Sequence, residues 1–321
     1  MSTTITTTTT VAQPPPRVVA TPDNTNDNNH HGNSSLAYAI PSDQDDSAFQ
    51  ALARGDRAGR LKLRGIPTFT DGLAKRQWIR EHMAAAFRFF GKMRYDEGVS
   101  GHISVRDPIL PDHFWMNPFA VHFSLMRASD LVLVDSAGYV VSGAGGNNDA
   151  MVNEAGFMIH SEVHRARPDV IAVAHTHGIY GKAWSSFGKN IEMLSQDACN
   201  FYGKVAVYEE HGGIALAVDE GRAIASALGK ENMAAILMNH GLITCGTTVD
   251  EAAWLFYSLD QACHAQLLAE AAAANGLQKK IVSDEVARFT AESVQTPHNF
   301  YLEFQPYFDL IVRESKGEVL E

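Results

Sequence analysis

Two spacings of apolar residues alternate along this chain of 321 residues. From about 72 to 95, Trp78, Met83, Phe87 and Phe90 recur at near-helical intervals with Arg and Glu between them, which predicts an amphipathic helix. Gly98 to Arg106 changes to alternating small and β-branched residues, a strand pattern. Phe114-Trp115-Met116-Asn117-Pro118 and Leu131-Val132-Leu133-Val134-Asp135 read as further strands, the second closed by the turn Ser136-Ala137-Gly138. After a Gly- and Asn-rich loop from Gly143 to Asp149, a helix is predicted from Glu154 to Ala166, with Phe157, Ile159, His160, Val163 and His164 sharing a face and Pro168 closing it. The pattern continues as a strand over 170–175, a helix near 178–187, a strand over 205–208, a helix over 219–228 capped by Asp219, and a strand over 234–239 that delivers His240. Thr247-Thr248-Val249-Asp250-Glu251 opens a long helix through about Ala274, and the aromatic-rich stretch Phe300 to Val312 is expected to pack over the core or across a subunit boundary. There is no internal repeat.

Composition sets the limits of this picture. Residues 1 to about 45 are Thr-rich, then carry Pro14-Pro15-Pro16, then turn Asn- and Asp-rich, with too few large apolar residues to offset ordering entropy; they are expected to be disordered. His30-His31 lies in that tail and is expected to be solvated. Residues 46–71 read as a linker or extension, 72–275 as the principal domain, and 276–321 as a packing or subunit-contact extension. A hydrophobic content of 45% is ample for a buried core, and a formal charge of −11 argues against a nucleic-acid binder, which needs a basic face. The three cysteines, Cys199, Cys245 and Cys263, are too few and too scattered for a disulfide framework. With no apolar run near 18 residues and no charged and apolar leader pattern, neither a membrane span nor a secretory signal is expected, and a cytoplasmic location is the plain reading.

The chemistry lies in three histidines. Ala172-Val173-Ala174-His175-Thr176-His177-Gly178 and Met238-Asn239-His240-Gly241 are apolar runs that end in histidine. His175 and His177 are two apart, so on an ideal strand they share one face, and a second strand end supplies His240. Three neutral imidazoles with an open position make a site for one divalent ion per subunit, zinc or iron(II).

The segments Gly101-His102-Ile103-Ser104-Val105-Arg106, Arg167-Pro168-Asp169-Val170 running into His175-Thr176-His177, and Asn239-His240-Gly241-Leu242 followed by Glu251-Ala252-Ala253 resemble the class II aldolase/adducin family, in order over roughly 75 to 275. The resemblance implies an α/β (α+β) three-layer αβα fold, a central, mostly antiparallel sheet covered by helices, a homotetramer, and a metal held by His175, His177 and His240. It also exposes departures. The position matching the family's catalytic glutamate is Gly156. The serines that precede that glutamate in sugar-phosphate aldolases are replaced by Glu154 and Ala155, and their phosphate-holding asparagine by His102, so a phosphorylated sugar is not the expected substrate. A closer likeness is to the group that processes a prenylated 4-hydroxyphenylpyruvate in aminocoumarin antibiotic pathways, where the activity is oxidative loss of carbon with non-haem iron. That likeness lies in Asp96 to His102, His113-Phe114-Trp115-Met116-Asn117-Pro118, Gln196-Asp197-Ala198-Cys199 and Phe304-Gln305-Pro306, and fungal class II aldolase/adducin proteins of unassigned function share it.

Roles follow from these positions. His160, one turn after Gly156, is a candidate fourth ligand or acid/base, or a core histidine behind the ligands. His164, a turn further, either orients His160 or sits at the surface, and the surface placement is the one expected. Glu154 is a candidate to replace the missing carboxylate, with a solvated Glu as the plain alternative. Asp197 is a second candidate general acid, against a loop-capping role. His102 is assigned to a substrate carboxylate and, with Asn117 and Gln196, to substrate binding; Arg106 is expected to be structural and salt-bridged. The expected activity is metal-dependent formation or cleavage of a carbon–carbon bond beside a carbonyl, in a small, non-phosphorylated, aromatic or apolar acid. An iron(II) dioxygenase and a non-catalytic adducin-like interaction module are the alternatives.

Overall fold

Asp71 begins the principal domain by accepting hydrogen bonds from the backbone of Leu73 and Ala74, which caps a helix of 21 residues. The computed structural model describes residues 38–39, 47–210 and 218–321, so the expected disordered tail and His30-His31 lie outside the described residues, apart from Tyr38–Ala39. That pair forms strand β1, antiparallel to β2 (Thr68–Phe69), with the short helix α1 (Ser47–Gln50) between them. There follow α2 (Gly72–Lys92), β3 (His102–Arg106), β4 (Phe114–Met116), β5 (Val132–Val134), α3 (Glu154–Ala166), β6 (Ala172–Thr176), α4 (Ile179–Ser185), β7 (Val205–Tyr208), α5 (Val218–Leu228), β8 (Ala234–Leu237), β9 (Gly241–Gly246), α6 (Val249–Ala274), α7 (Asp284–Val294) and α8 (Pro297–Glu314).

Strands β3 to β9 form one seven-stranded sheet in the order β5-β4-β3-β6-β9-β8-β7, antiparallel throughout except for the parallel pair β7–β8. The alternation along each strand sorts its side chains into two layers. Ile103, Val105, Ala172, Ala174 and Leu242 face Met83, Phe87 and Phe90 of α2, Phe256 and Leu259 of α6, and Phe304 of α8. Val173, Ile243 and Cys245 face Ile159 and Val163 of α3 and Ile224 and Leu228 of α5. The three-layer αβα arrangement is therefore present, and the aromatic stretch at 300–312 lies inside α8, with Phe300, Phe304 and Phe308 in the core.

Several boundaries differ from the sequence reading. Gly98 to Gly101 form a loop, not strand, because Gly98 and Gly101 take φ of 62° and 99°. Helix α5 starts at Val218, so Asp219 lies inside its first turn and is not its cap. Strand β8 ends at Leu237, and His240 sits in the hairpin turn to β9. Strand β9 has no counterpart among the predicted elements, although it pairs with both β6 and β8. Helix α7 likewise has none. All three cysteines are buried and unpaired, and no helix of the described residues is long and apolar enough to cross a membrane.

Candidate metal centre

Strand β6 is buried along its whole length, and its alternation sends Val173 and His175 toward α3. His175 is 2% exposed, and its Nδ1 lies 2.8 Å from the Leu242 carbonyl oxygen. A carbonyl only accepts, so Nδ1 carries the hydrogen and Nε2 keeps its lone pair for a metal. His177 follows one residue beyond the strand, half-buried, with Nδ1 3.8 Å from Glu97 Oε2; Glu97 is itself held by Lys182 Nζ at 2.6 Å. The turn into α4 is anchored from behind by Asp260 of α6, which accepts the Gly181 N–H at 2.8 Å and the Tyr95 hydroxyl at 3.1 Å.

His240 comes from the β8–β9 hairpin. Its N–H donates to Leu237 O at 3.0 Å, and Asn239 before it takes a left-handed φ of 58°, a conformation Asn tolerates better than most residues. Gly241 lets the hairpin close on β6, since a Cβ there would lie 3.0 Å from the Thr176 carbonyl oxygen. The three ring centroids are 5.3 Å (His175–His177), 4.8 Å (His175–His240) and 5.0 Å (His177–His240) apart, with interplanar angles of 73–78°. Their ligating nitrogens lie within 4.8 Å of one another. Ligands about 2.0–2.1 Å from a tetrahedral ion stand roughly 3.3 Å apart, a spacing that modest side-chain rotation reaches. Burial pushes His175 far below the usual histidine range and lowers His177 as well, so both are neutral, the form that ligates. The donor set fits a divalent ion.

His102 stands directly opposite His175 in the β3–β6 register, with the two rings stacked at 6.0 Å. Its ring covers Gly156: a Cβ on that glycine would lie 2.6 Å from three of the ring atoms. The imidazole therefore fills the space into which a side chain at 156 would project. Burial holds His102 down to about 3, with His177 and His240 adding to the effect, and neither ring nitrogen has a protein partner among the described residues. Asn117, just past β4, is buried with its Oδ1 unpartnered, and Thr176 Oγ1 is in the same condition.

The other predicted residues divide into two groups. His160 is 1% exposed and packs edge-on against His102 at 5.7 Å. His164 is also buried at 1%, contrary to the surface placement expected for it, because α3 presents Gly156, His160 and His164 on the side that faces the sheet. Arg106, expected to be salt-bridged, has no salt bridge among the described residues; it donates to the carbonyls of Pro111 and His164 at 2.8 Å each and lies over the Phe114 ring. Glu154 is exposed in the first turn of α3, on the same helix as Gly156. Gln196 and Asp197 are exposed, and Asp197 lines a separate cavity of about 350 Å³ with Trp254, Tyr257 and Glu303, so within one chain it is not grouped with the histidines. Ser104, Glu97 and Lys182 are further polar residues of this region, outside the expected site set. For Ser104 the signal was available, since it lies two residues after His102 on one strand and so shares its face.

A family model described as the class II aldolase and adducin N-terminal domain matches residues 81–267. The chain belongs to the class II aldolase and adducin family. Among its relatives is the meiotically up-regulated gene 14 protein of Schizosaccharomyces pombe, 43% identical over 80% of this chain and 98% of that protein. Another, from Streptomyces roseochromogenus subsp. oscitans, is named 4-hydroxy-3-prenylphenylpyruvate oxygenase/4-hydroxy-3-prenylbenzoate synthase and is 40% identical over 76% of this chain and 85% of its own. A solved structure from Glaciozyma antarctica PI12, named L-fuculose 1-phosphate aldolase, superposes with a TM-score of 0.71 at 42% identity, covering 79% of this chain and 96% of that one. The class II aldolase fold and the family expectation both hold.

Proposed function

We propose that the protein is a metal-dependent enzyme that cleaves or forms a carbon–carbon bond beside the carbonyl of a non-phosphorylated 2-oxo or hydroxycarbonyl acid, acting as a homo-oligomer of four copies. The observation that carries this reading is the convergence of His175, His177 and His240 beside a buried His102 that occupies the side-chain space of residue 156. His175, His177 and His240 would hold a zinc or iron(II) ion, which would supply Lewis-acid polarisation of a substrate carbonyl.

The chain's own residues supply the rest. His102 is neutral, so it offers one hydrogen-bond donor and one acceptor and no charge, which suits a carbonyl or carboxylate oxygen already neutralised elsewhere. Asn117, whose amide N–H donates to the Gly101 carbonyl next to His102 at 3.5 Å, adds a buried polar group on this side. Exposed Val99, Phe119 and Met151 lie on the loops that lead to His102, Asn117 and Gly156, and they offer apolar contact to an aromatic or alkyl body. Glu154, exposed at the head of α3 two residues before Gly156, is a carboxylate that would repel a phosphate near this end of the helix. This disfavours a sugar phosphate, the kind of substrate for which the Glaciozyma protein is named. Glu154, His160 and Asp197 remain the proposed acid/base groups; Asp197 reaches a histidine site only if another copy brings it there.

The Streptomyces relative named as an oxygenase favours a second reading, iron(II)-dependent oxidative loss of carbon from an aryl 2-oxo acid. One set of measurements separates the possibilities. Elemental analysis of the purified protein should find about one divalent ion per chain, light scattering a tetramer, and an aryl 2-oxo acid should be consumed. His175→Ala with His177→Ala should abolish bound metal and turnover together. Retention of metal by that variant sinks the proposal. Turnover that stops without oxygen selects the oxygenase reading, and an empty, inactive wild type selects a non-catalytic interaction module.

A further inference from the structure

Behind His102, the facing surfaces of β3 and α3 carry a closed chain of polar groups. His164 Nδ1 lies 3.2 Å from the Val170 carbonyl oxygen, His164 Nε2 lies 2.8 Å from Ser104 Oγ, and Ser104 Oγ lies 2.8 Å from His160 Nδ1. All three side chains are buried, and the His164 ring is clamped by stacking on Phe114 at 4.7 Å. Hydrogen positions follow from the end of the chain inward. The Val170 carbonyl accepts, so His164 carries its hydrogen on Nδ1 and, being neutral, accepts at Nε2. Ser104 has one hydroxyl hydrogen and donates it to His164, so its oxygen accepts from His160 Nδ1. A neutral His160 is then left with a bare lone pair on Nε2. Neutrality is set by the surroundings: complete burial disfavours both imidazolium forms, and the nearest fixed charge, the Arg106 guanidinium, disfavours that of His164 further.

His160 Nε2 is buried and has no protein partner among the described residues, and the ring beside it is His102, whose two nitrogens are also unpartnered. A buried acceptor without a donor is destabilising, so this arrangement calls for a donor. The chain cannot carry a proton onward, because it terminates on a backbone carbonyl. Its effect is to fix a tautomer, not to move charge.

We propose that Ser104 and His164 are positioning residues that lock His160 in its Nδ1–H tautomer, making Nε2 the acceptor for a neutral hydrogen-bond donor, a water molecule or a substrate hydroxyl, held between His160 and His102. The tautomer stands independently of the reaction; the role of the bound donor rests on the reading of the histidine cluster as the reaction centre.

Long-range nitrogen–proton correlation spectra of the full, metal-free chain labelled with ¹⁵N-histidine test the tautomer directly, with His160→Gln and His164→Gln giving the assignments. Both rings should be protonated on Nδ1 and bare on Nε2 near pH 7.5. Ser104→Ala should release His160 into a mixture of tautomers, and Ser104→Thr, which restores a hydroxyl, should return it to the single form. A wild-type His160 protonated on Nε2, or a Ser104→Ala chain with an unchanged His160 pattern, overturns the proposal. In the metal-loaded enzyme, Ser104→Ala should lower kcat by about 10²-fold with metal content unchanged, a loss typical of a mispositioned acid/base group. If that loss is equal for aryl 2-oxo acids with and without a ring hydroxyl, the donor is water; if KM rises only for the hydroxylated acid, the donor belongs to the substrate. A wild type with the expected tautomers and no turnover refutes the reaction and leaves the tautomer lock standing.

Discussion

Gly156 carries the most information per atom in the site. Glycine inside a helix is unfavourable by about 1 kcal/mol relative to alanine, so α3 accepts a local cost at this position. The ring of His102 explains it, since a Cβ would lie 2.6 Å from that ring. Overpacking a filled space costs roughly 1–3 kcal/mol, which exceeds the gain in helix propensity. Gly156→Ala should therefore lower the unfolding free energy measured in urea, and the same substitution made in a His102→Ala chain should cost much less. A stabilised Gly156→Ala single variant would show that His102 moves aside freely. The three candidate metal ligands were legible as residues because histidines at strand ends stand out against apolar runs. The pairing of Gly156 with His102 was not, because it depends on how closely α3 approaches β3.

Among the elements, β3 and α2 are locked to each other by one buried carboxylate. Asp107, at the end of β3, receives Arg76 through two hydrogen bonds of 2.7 Å, the Trp115 indole at 2.7 Å, and the backbone N–H groups of Ile109 and Leu110. The Arg76 bonds hold its carboxyl below the usual range despite burial. Asp107→Ala strands the buried Arg76 charge and should cost about 3–5 kcal/mol in urea unfolding, with a loss under about 1 kcal/mol speaking against the arrangement. Helices α2, α3 and α6 and strands β3, β6 and β7 were readable from periodicity and capping residues. Strand β9 was not, because its six residues lie between two stronger signals, the histidine at 240 and the Thr247-Thr248 helix start, and a short apolar run carries no period of its own. His164 was misplaced for a related reason: the buried arc of α3 is wide, and only contact with the sheet reveals that its polar members are inside.

At the scale of the whole molecule, the buried histidines couple folding to pH. His102 and His164 are held near 3 in the folded chain, against a usual value near 6.5, and His160 and His175 are also strongly depressed. Between those values the unfolded chain binds more protons, so their contribution is fully present above about pH 6.5 and is lost as pH falls toward 3. Each fully depressed histidine removes about 1.4 kcal/mol per pH unit once pH is well below 6.5. Glu251, Asp260 and Glu303, raised by burial, act in the opposite direction, but they are three groups against four. The metal-free protein should therefore melt at progressively lower temperature from pH 7 to pH 5, and a flat or rising midpoint over that range would contradict the buried neutral histidines.

The contact of the His102 ring with Gly156 also bears on which substitutions this chain can accept. Either residue alone constrains the other: a carboxylate introduced at 156 collides with the imidazole, and removing the imidazole alone opens a void over a bare helix. Placing a carboxylate at 156 thus needs two coordinated substitutions, with a damaged protein at each single step. Such a pair behaves as a ratchet: neither position tolerates change unless both move together.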